Sequence, residues 1–396
     1  MELTKKQKEG LEIALERYRR GEKYTTISGY AGTGKSTLVR FIIQALRIPE
    51  EKVVYTAYTG KACTVLQKKG NKNVSTLHKL LYKFHLMPDG HYVKIPRVDL
   101  DYDFIVVDEC SMVDADMIEE LLSHKGIYVI FLGDPFQIPP VSGGDNGLLA
   151  TPHVFLEEIM RQALDNEIIK FSMDVRLGQP LPERYEGKNV RIYGKDELTG
   201  GMLLWADQVI CSTNSTRKYL NDSIREMKHL KGEPKLGDKV ICLHNNWDIY
   251  DDDNNALVNG TIGYITDIAK GRHKINPFFN IKDDMIPFYG IDIETDTQTH
   301  FMGLEVDTQL FDGDEPYLST FNASRIRRNK ICQDNEIYPP DLFTYGYAIT
   351  CHKAQGSSWP NVLVVEETSP FANIEHRKWL YTAMTRAEEK LVIIRK

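Results

Sequence analysis

Over about the first 150 residues, short runs of apolar and β-branched side chains alternate with amphipathic stretches. Residues 53–56, 104–107 and 127–132 are near-continuously apolar, the pattern of strands buried on both faces of a parallel sheet. Residues 24–28 read as another strand, and residues 37–46 carry apolar side chains at helical spacing. This alternation predicts a doubly wound α/β domain. One stretch interrupts it. Residues 80–97 hold aromatic and apolar side chains around Asp89-Gly90, a hairpin turn signal, and predict a small β-hairpin inserted into the domain. A second α/β pattern begins near His153, includes 207–212 as a strand, breaks off near Lys231 and resumes around Asp341, with further core strands at 361–366 and 390–394. Strand-like pieces at 239–243, 261–268, 288–294 and 300–306, separated by turns, predict a small antiparallel barrel inserted into this second domain. The expected boundaries are 1–79 and 98–152 for the first α/β domain, 80–97 for the hairpin, 153–232 and 341–396 for the second α/β domain, and 233–340 for its insert. Residues 270–286 fit no element of that scheme.

Chemistry enters where the first strand ends. Gly29, Tyr30, Ala31, Gly32, Thr33, Gly34, Lys35 and Ser36 fit G-x-x-x-x-G-K-[ST] at every fixed position, between a strand and a helix. In such a loop the backbone N–H groups point at the β- and γ-phosphates of a nucleotide, and the helix N-terminus adds its dipole. Gly32, Thr33, Gly34, Lys35, Ser36 and Thr37 are therefore the expected nucleotide-binding set. Lys35 would neutralise phosphate charge and the Ser36 hydroxyl would hold Mg2+.

The run 104–107 ends in Asp108-Glu109, which places two carboxylates at the C-terminal edge of a buried strand beside that loop. One, Asp108, would hold Mg2+ and the other, Glu109, would polarise the attacking water. The run 127–132 leads into Gly133-Asp134-Pro135-Phe136-Gln137. Gln137 has two readings, a group that orients water or reports phosphate loss, and a polar turn residue.

Composition narrows the field. The chain of 396 residues has a formal net charge of −7, which argues against coating nucleic acid by bulk electrostatics but leaves room for a narrow basic channel. Local basic clusters lie at 68–72 and 325–330; a solvated face accounts for each taken alone. No apolar run reaches the roughly 18 residues of a membrane span. Residues 1–10 are polar and lysine-rich, without the apolar core of a secretion signal. The six cysteines are scattered with no C-x-x-C pair, so neither zinc nor a disulfide framework is expected, and a reducing cytoplasm is.

With these residues in place, the chain resembles the superfamily 1B DNA helicases over nearly its whole length, and most closely the compact phage helicases of the Dda type. Leu3, Thr4 and Gln7 resemble the Q motif, whose glutamine contacts adenine; residues 29–36 are motif I. Residues 57–62, with Thr59, Gly60 and Lys61, resemble motif Ia, and Ser75 to His78 resemble motif Ib. Residues 107–112 match the V-D-E-x-S-M form of motif II, 133–141 motif III, and 156–162, with Arg161, motif IV. Residues 347–357, with Thr350, His352, Lys353, Gln355 and Gly356, resemble motif V, and 381–387, with Thr385 and Arg386, motif VI. Tyr58 departs from the pattern, which usually has proline there.

The resemblance implies two RecA-like P-loop domains, a β-hairpin pin inserted in the first and an SH3-like β-barrel inserted in the second. It implies ATP and Mg2+ as cofactors, with Lys35, Asp108, Glu109, Gln137, Arg161 and Arg386 carrying hydrolysis, Gln7 on the base, and the two arginines reaching across the cleft. Thr59, Gly60, Lys61, Ser75, His78, Thr350, His352 and Lys353 would hold DNA phosphates without sequence preference. His78 and His352 have a second reading as packed histidines. Phe84, His91 and Tyr92 would stack on the last base pair at the pin, and hairpin packing is an equal account of Phe84. The implied activity is ATP-driven, 5′ to 3′ DNA unwinding by a monomer on single strands and single-strand/duplex junctions, with a single-strand-binding protein or replisome component as a partner, in replication, recombination or repair. The chain starting at the Q motif predicts no fused domain before it. Three rivals are a translocase that displaces proteins with little unwinding, a P-loop phosphotransferase, and an insert serving chiefly as a protein-docking module.

Overall fold

The computed structural model describes residues 3–86, 92–139, 147–160, 165–252, 255–275, 285–296, 298–312, 332, 335, 337–367 and 373–395, apart from the side chains of 84–86, 92–94 and Trp247. The chain divides into two units, 1–217 with 349–396, and 218–348.

The first unit contains two six-stranded sheets. In the first, β1 (Tyr24–Gly29), β2 (Val53–Ala57), β3 (Val74–Thr76), β6 (Phe104–Val107), β7 (Tyr128–Gly133) and β8 (Val154–Leu156) all run parallel, in the order β3-β2-β6-β7-β1-β8. The apolar runs read from the sequence are these strands, because a parallel strand covered on both faces has no polar side to show. One face packs Ile27, Leu38, Val39, Ile42, Ile130 and Val154; the other packs Ile105, Val107, Met117, Leu121, Val129 and Phe131. Between β3 and β6, β4 (Tyr82–Leu86) and β5 (Tyr92–Pro96) pair antiparallel from Tyr82↔Pro96 to Leu86↔Tyr92, the hairpin expected at 80–97.

One boundary needs correction. The second domain was expected to begin at residue 153, but Val154–Leu156 pairs with β1 and completes the first sheet. Three apolar residues are too short a run to show periodicity, and only the pairing assigns them. The helix α1 (Lys5–Arg19) lies close to β8: a Cβ on Gly10 would come within 2.7 Å of Val154.

The second sheet has the order 348–350, 208–211, 359–365, 387–395, 190–194, 185–186. Its strands 208–211, 359–365, 387–395 and 190–194 run parallel, and Tyr185–Glu186 is antiparallel to its neighbour. The helices Glu167–Leu177 and Ile374–Met384 pack against one another. All six cysteines are free and buried.

The second unit is built on a five-stranded sheet in the order 300–307, 285–295, 262–274, 239–242, 343–345, with each strand antiparallel to its neighbours. Asp341 joins the two edges: its N–H donates to Glu305 at 2.6 Å and its carbonyl accepts from Asp307 at 2.8 Å, just before the strand Phe343–Tyr345. Residues 270–274 and 285–286, unplaced from sequence, prolong the hairpin of Ile262–Lys274 with Met285–Thr295. The polar run Lys270-Gly271-Arg272-His273-Lys274 has no alternation to announce a strand; the pairing partner supplies it. At the root of the unit, buried Arg225 donates to both Asp238 oxygens (2.9 and 3.0 Å) and to the carbonyls of Gly232 and Glu233 (2.9 Å each). Arg225→Ala strands the Asp238 carboxylate and should cost about 3 kcal/mol, read as a lower denaturant midpoint.

Candidate nucleotide site

The phosphate loop follows β1 directly. Gly32 and Gly34 hold φ of +76° and +77°, where a side chain is strained, and Gly34 caps the helix α2 (Lys35–Leu46). A Cβ at Gly34 would also lie 2.5 Å from Gln7 Nε2 and 2.6 Å from Met160 Sδ. The first-turn N–H groups of α2, from Lys35, Ser36 and Thr37, are donors the helix itself leaves unpaired. Lys35 Nζ donates to the carbonyls of Gly29 (2.6 Å) and Tyr30 (3.2 Å), folded back over the loop. Thr33 is buried, and its hydroxyl donates to Tyr30 O at 2.8 Å.

Gln7 is buried by its own cap. Its N–H donates to Thr4 Oγ1 (3.2 Å), its Oε1 accepts from Thr4 N (3.0 Å), and its Nε2 donates to Thr33 O (3.1 Å). The side chain expected on the base therefore touches the loop itself.

Asp108 and Glu109 stand at the end of β6 as expected. Asp108 Oδ1 accepts from Glu109 N–H at 2.9 Å, and Glu109 has φ of +50°, a strained conformation for a residue with a side chain. Asp108 keeps some exposed surface, yet desolvation is the first cause of its raised carboxyl; the Glu109 charge is the second, opposed by Lys69 and Lys35. Asp134, at the end of β7, is likewise raised by burial and drawn back chiefly by Lys35. Gln137 follows, with its N–H 3.4 Å from Asp134 O.

Groups from the second sheet meet these residues. Arg386 is 5% exposed; Nε donates to Thr382 O (3.0 Å), Nη1 to Ser357 O (3.2 Å) and Nη2 to Thr385 Oγ1 (3.2 Å). Its Nη1 also lies 3.9 Å from Glu109 Oε1. Arg176 places its guanidinium 3.8 Å over the Tyr30 ring.

The candidate DNA contacts fall in two groups. Thr59 caps the helix α3 (Gly60–Lys68), accepting from Ala62 N–H at 3.2 Å, and its hydroxyl reaches Gly356 O at 3.4 Å. Lys61 Nζ lies 3.9 Å over the Trp359 ring. Motif Ia therefore meets the segment that follows Thr350, exposed His352 and half-buried Lys353. Ser75 Oγ donates to Thr76 O at 3.2 Å. His78 is buried and edge-on to Tyr58 (5.3 Å), which is the geometry of the packed alternative. Arg161 and His91 lie outside the described residues, as do the side chains of Phe84 and Tyr92.

Two family models match the chain: an AAA domain over residues 2–194 and a UvrD-like helicase C-terminal domain over residues 345–394. Among curated proteins, the ATP-dependent RecD2 DNA helicase of Deinococcus radiodurans is 26% identical, covering 93% of this chain and 46% of its own. The ATP-dependent DNA helicase dda of Enterobacteria phage T4 is 28% identical, covering 57% of each. The chain is similar to the superfamily 1B helicases. It spans about half the length of these two curated helicases. A solved structure titled as two coordinating Pif1 helicases unwinding forked duplex shares the fold, at a TM-score of 0.51 and 16% identity over 99% of this chain and 92% of that one.

The donor set fits a magnesium ion. The Ser36 hydroxyl lies in the first turn of α2, and the raised Asp108 carboxyl shares its surroundings with Glu109, a concentration of negative charge that a divalent cation relieves. Sequence reasoning passed over Tyr381, Thr382 and Asp134, which join the two sheets, and Arg176. Each lay inside or near a quoted motif except Arg176, for which the sequence carries no signal. Among the described residues no helix is long and apolar enough to cross a membrane.

Proposed function

We propose that the chain is an ATP-dependent DNA helicase that moves along single-stranded DNA and hydrolyses ATP between its two RecA-like sheets. The observation that carries the proposal is the convergence of Arg386 from the second sheet on Glu109, beside the Lys35 loop of the first. Lys35 leaves the loop carbonyls to meet phosphate oxygens, while the first-turn N–H groups of α2 hold the others. Ser36 and Asp108 would hold magnesium, which would offset phosphate charge. Glu109 accepts a proton from the attacking water as its oxygen bonds to the γ-phosphorus and the bridging oxygen leaves with ADP. Arg386 and Arg161 stabilise charge on the transferring group, and Gln137 orients the water. Because Arg386 arrives from beside the second sheet, hydrolysis depends on closure, and each cycle of closing and opening advances the grip on DNA.

Thr59, Gly60, Lys61, Ser75 and His78 on one side, and Thr350, His352 and Lys353 on the other, contact the strand in this reading; the hairpin 80–97 is the pin and the insert an SH3-like barrel. The chain acts as a monomer in the cytoplasm, on single strands and junctions, alongside a single-strand-binding protein or replisome component. The test is unwinding of two short duplexes, one with a 5′ and one with a 3′ single-stranded tail. Unwinding only from the 5′ tail is the expected result. ATP hydrolysis stimulated by single strands with neither duplex opened would transfer the assignment to a protein-displacing translocase.

A further inference from the structure

The segment 134–138, which carries Gln137, is held by three side chains from the helix and turn that flank the second sheet. The Tyr381 hydroxyl donates to the Asp134 carboxylate, Thr382 Oγ1 accepts from Ile138 N–H at 2.9 Å, and Gln355 Nε2 donates to Ile138 O at 2.5 Å. The same Tyr381 oxygen accepts the N–H of Ala31, in the phosphate loop, at 2.8 Å. Tyr381 is 1% exposed, with its ring edge-on to Phe136 at 5.3 Å. It lies in the last turn of the helix Ile374–Met384, one residue before Thr382, whose carbonyl holds Arg386 Nε at 3.0 Å. One buried oxygen thus touches the loop and the strand end, from the helix that anchors the arginine.

We propose that Tyr381 is a positioning residue whose hydroxyl couples the state of the phosphate loop to the placement of Gln137 and Arg386. The proposal rests on a nucleotide occupying that loop. Both partners of the hydroxyl are groups a triphosphate disturbs. Lys35 supports the charged form of Asp134, and its departure onto phosphate leaves the buried carboxylate leaning harder on its two donors, the Tyr381 hydroxyl and the Phe136 N–H. Phosphate oxygens also compete for the loop N–H groups, Ala31 among them. Burial holds the phenol well above its ordinary value, so the donated proton stays on the oxygen. A tyrosine serving only as packing would need its ring and not this oxygen.

Tyr381→Phe removes the oxygen and keeps the ring. Measured on the full chain, kcat for DNA-stimulated ATP hydrolysis should fall roughly tenfold, the loss of a hydrogen bond to a charged group in the transition state. KM and the binding of a fluorescent ADP analogue should stay within about twofold, since the interaction acts in turnover rather than in ground-state binding. Asp134→Asn should lower kcat similarly, and the double variant should fall no further, because both substitutions break one link. A wild-type kcat in Tyr381→Phe, or additive losses in the double variant, would overturn the coupling. So would equal losses in kcat, ADP binding and melting midpoint, the signature of a merely structural role. Wild-type protein that binds no nucleotide analogue overturns the reading of the loop and this proposal with it; wild-type binding with a silent Tyr381→Phe overturns this proposal alone.

Discussion

Lys35→Ala removes ATP hydrolysis, by roughly 10³-fold or more, while the chain keeps its fold. The ammonium is the one charge placed on the loop itself, and it is held there by two carbonyls that a phosphate oxygen readily outcompetes. Without it, the first sheet meets charge developing on the transferring group with backbone dipoles and no side-chain cation of the loop. Stability should change little. Lys35 opens α2, its bonds to Gly29 and Tyr30 are made at a part-buried position, and alanine is the better helix former. Circular dichroism and the melting midpoint report the fold, and a coupled assay of phosphate release reports the chemistry. DNA-stimulated hydrolysis surviving in a folded Lys35→Ala chain would refute the assignment of the site.

The second large effect is expected at Arg386. Arg386→Ala should bind ATP with an affinity within a few fold of wild type and turn it over roughly 10³-fold more slowly, as for an arginine supplied across a cleft. The geometry makes this more than an analogy, since the guanidinium is pinned by three hydrogen bonds within its own sheet and has Glu109 of the other sheet at 3.9 Å. Those three bonds also create a risk of misfolding in the alanine variant. Arg386→Lys guards against it, keeping the charge while losing the planar fork, and should recover folding but little of the rate. Single-turnover hydrolysis with bound nucleotide measured separately distinguishes the two losses. Normal turnover in either variant would remove Arg386 from the mechanism.

The legible parts of this chain were those where one local rule decides. Residues 104–107 have the apolar run expected of a strand covered on both faces, and the two carboxylates after them were placed by that reading. The phosphate loop was legible because its glycines answer a backbone requirement: Gly32 and Gly34 sit at positive φ, and Gly34 has no room for a side chain. What the sequence hid depends on distant partners. Val154–Leu156 is a strand because β1 lies beside it. Lys270 to Lys274 is a strand because 285–289 pair with it, against its own polar composition. Tyr381 reads along the chain as one more core aromatic of a helix, and its polar role exists only because Ala31 and Asp134, hundreds of positions away, converge on its oxygen. Gln7, read as a contact to the base, is also a cap whose amide holds the loop carbonyl of Thr33, a role that only the fold reveals.

The burial of all six cysteines has a practical side. Burial pushes the thiols of Cys63, Cys211 and Cys351 up to about 12, and that of Cys110 higher still, so at neutral pH hardly any thiolate is present and little of it meets solvent. The native chain is therefore a quiet background for maleimide dyes. A cysteine introduced at an exposed position such as Tyr219 or Met302 would take up label ahead of all the others, and a fluorophore pair could be installed without first stripping the protein of its own sulfur.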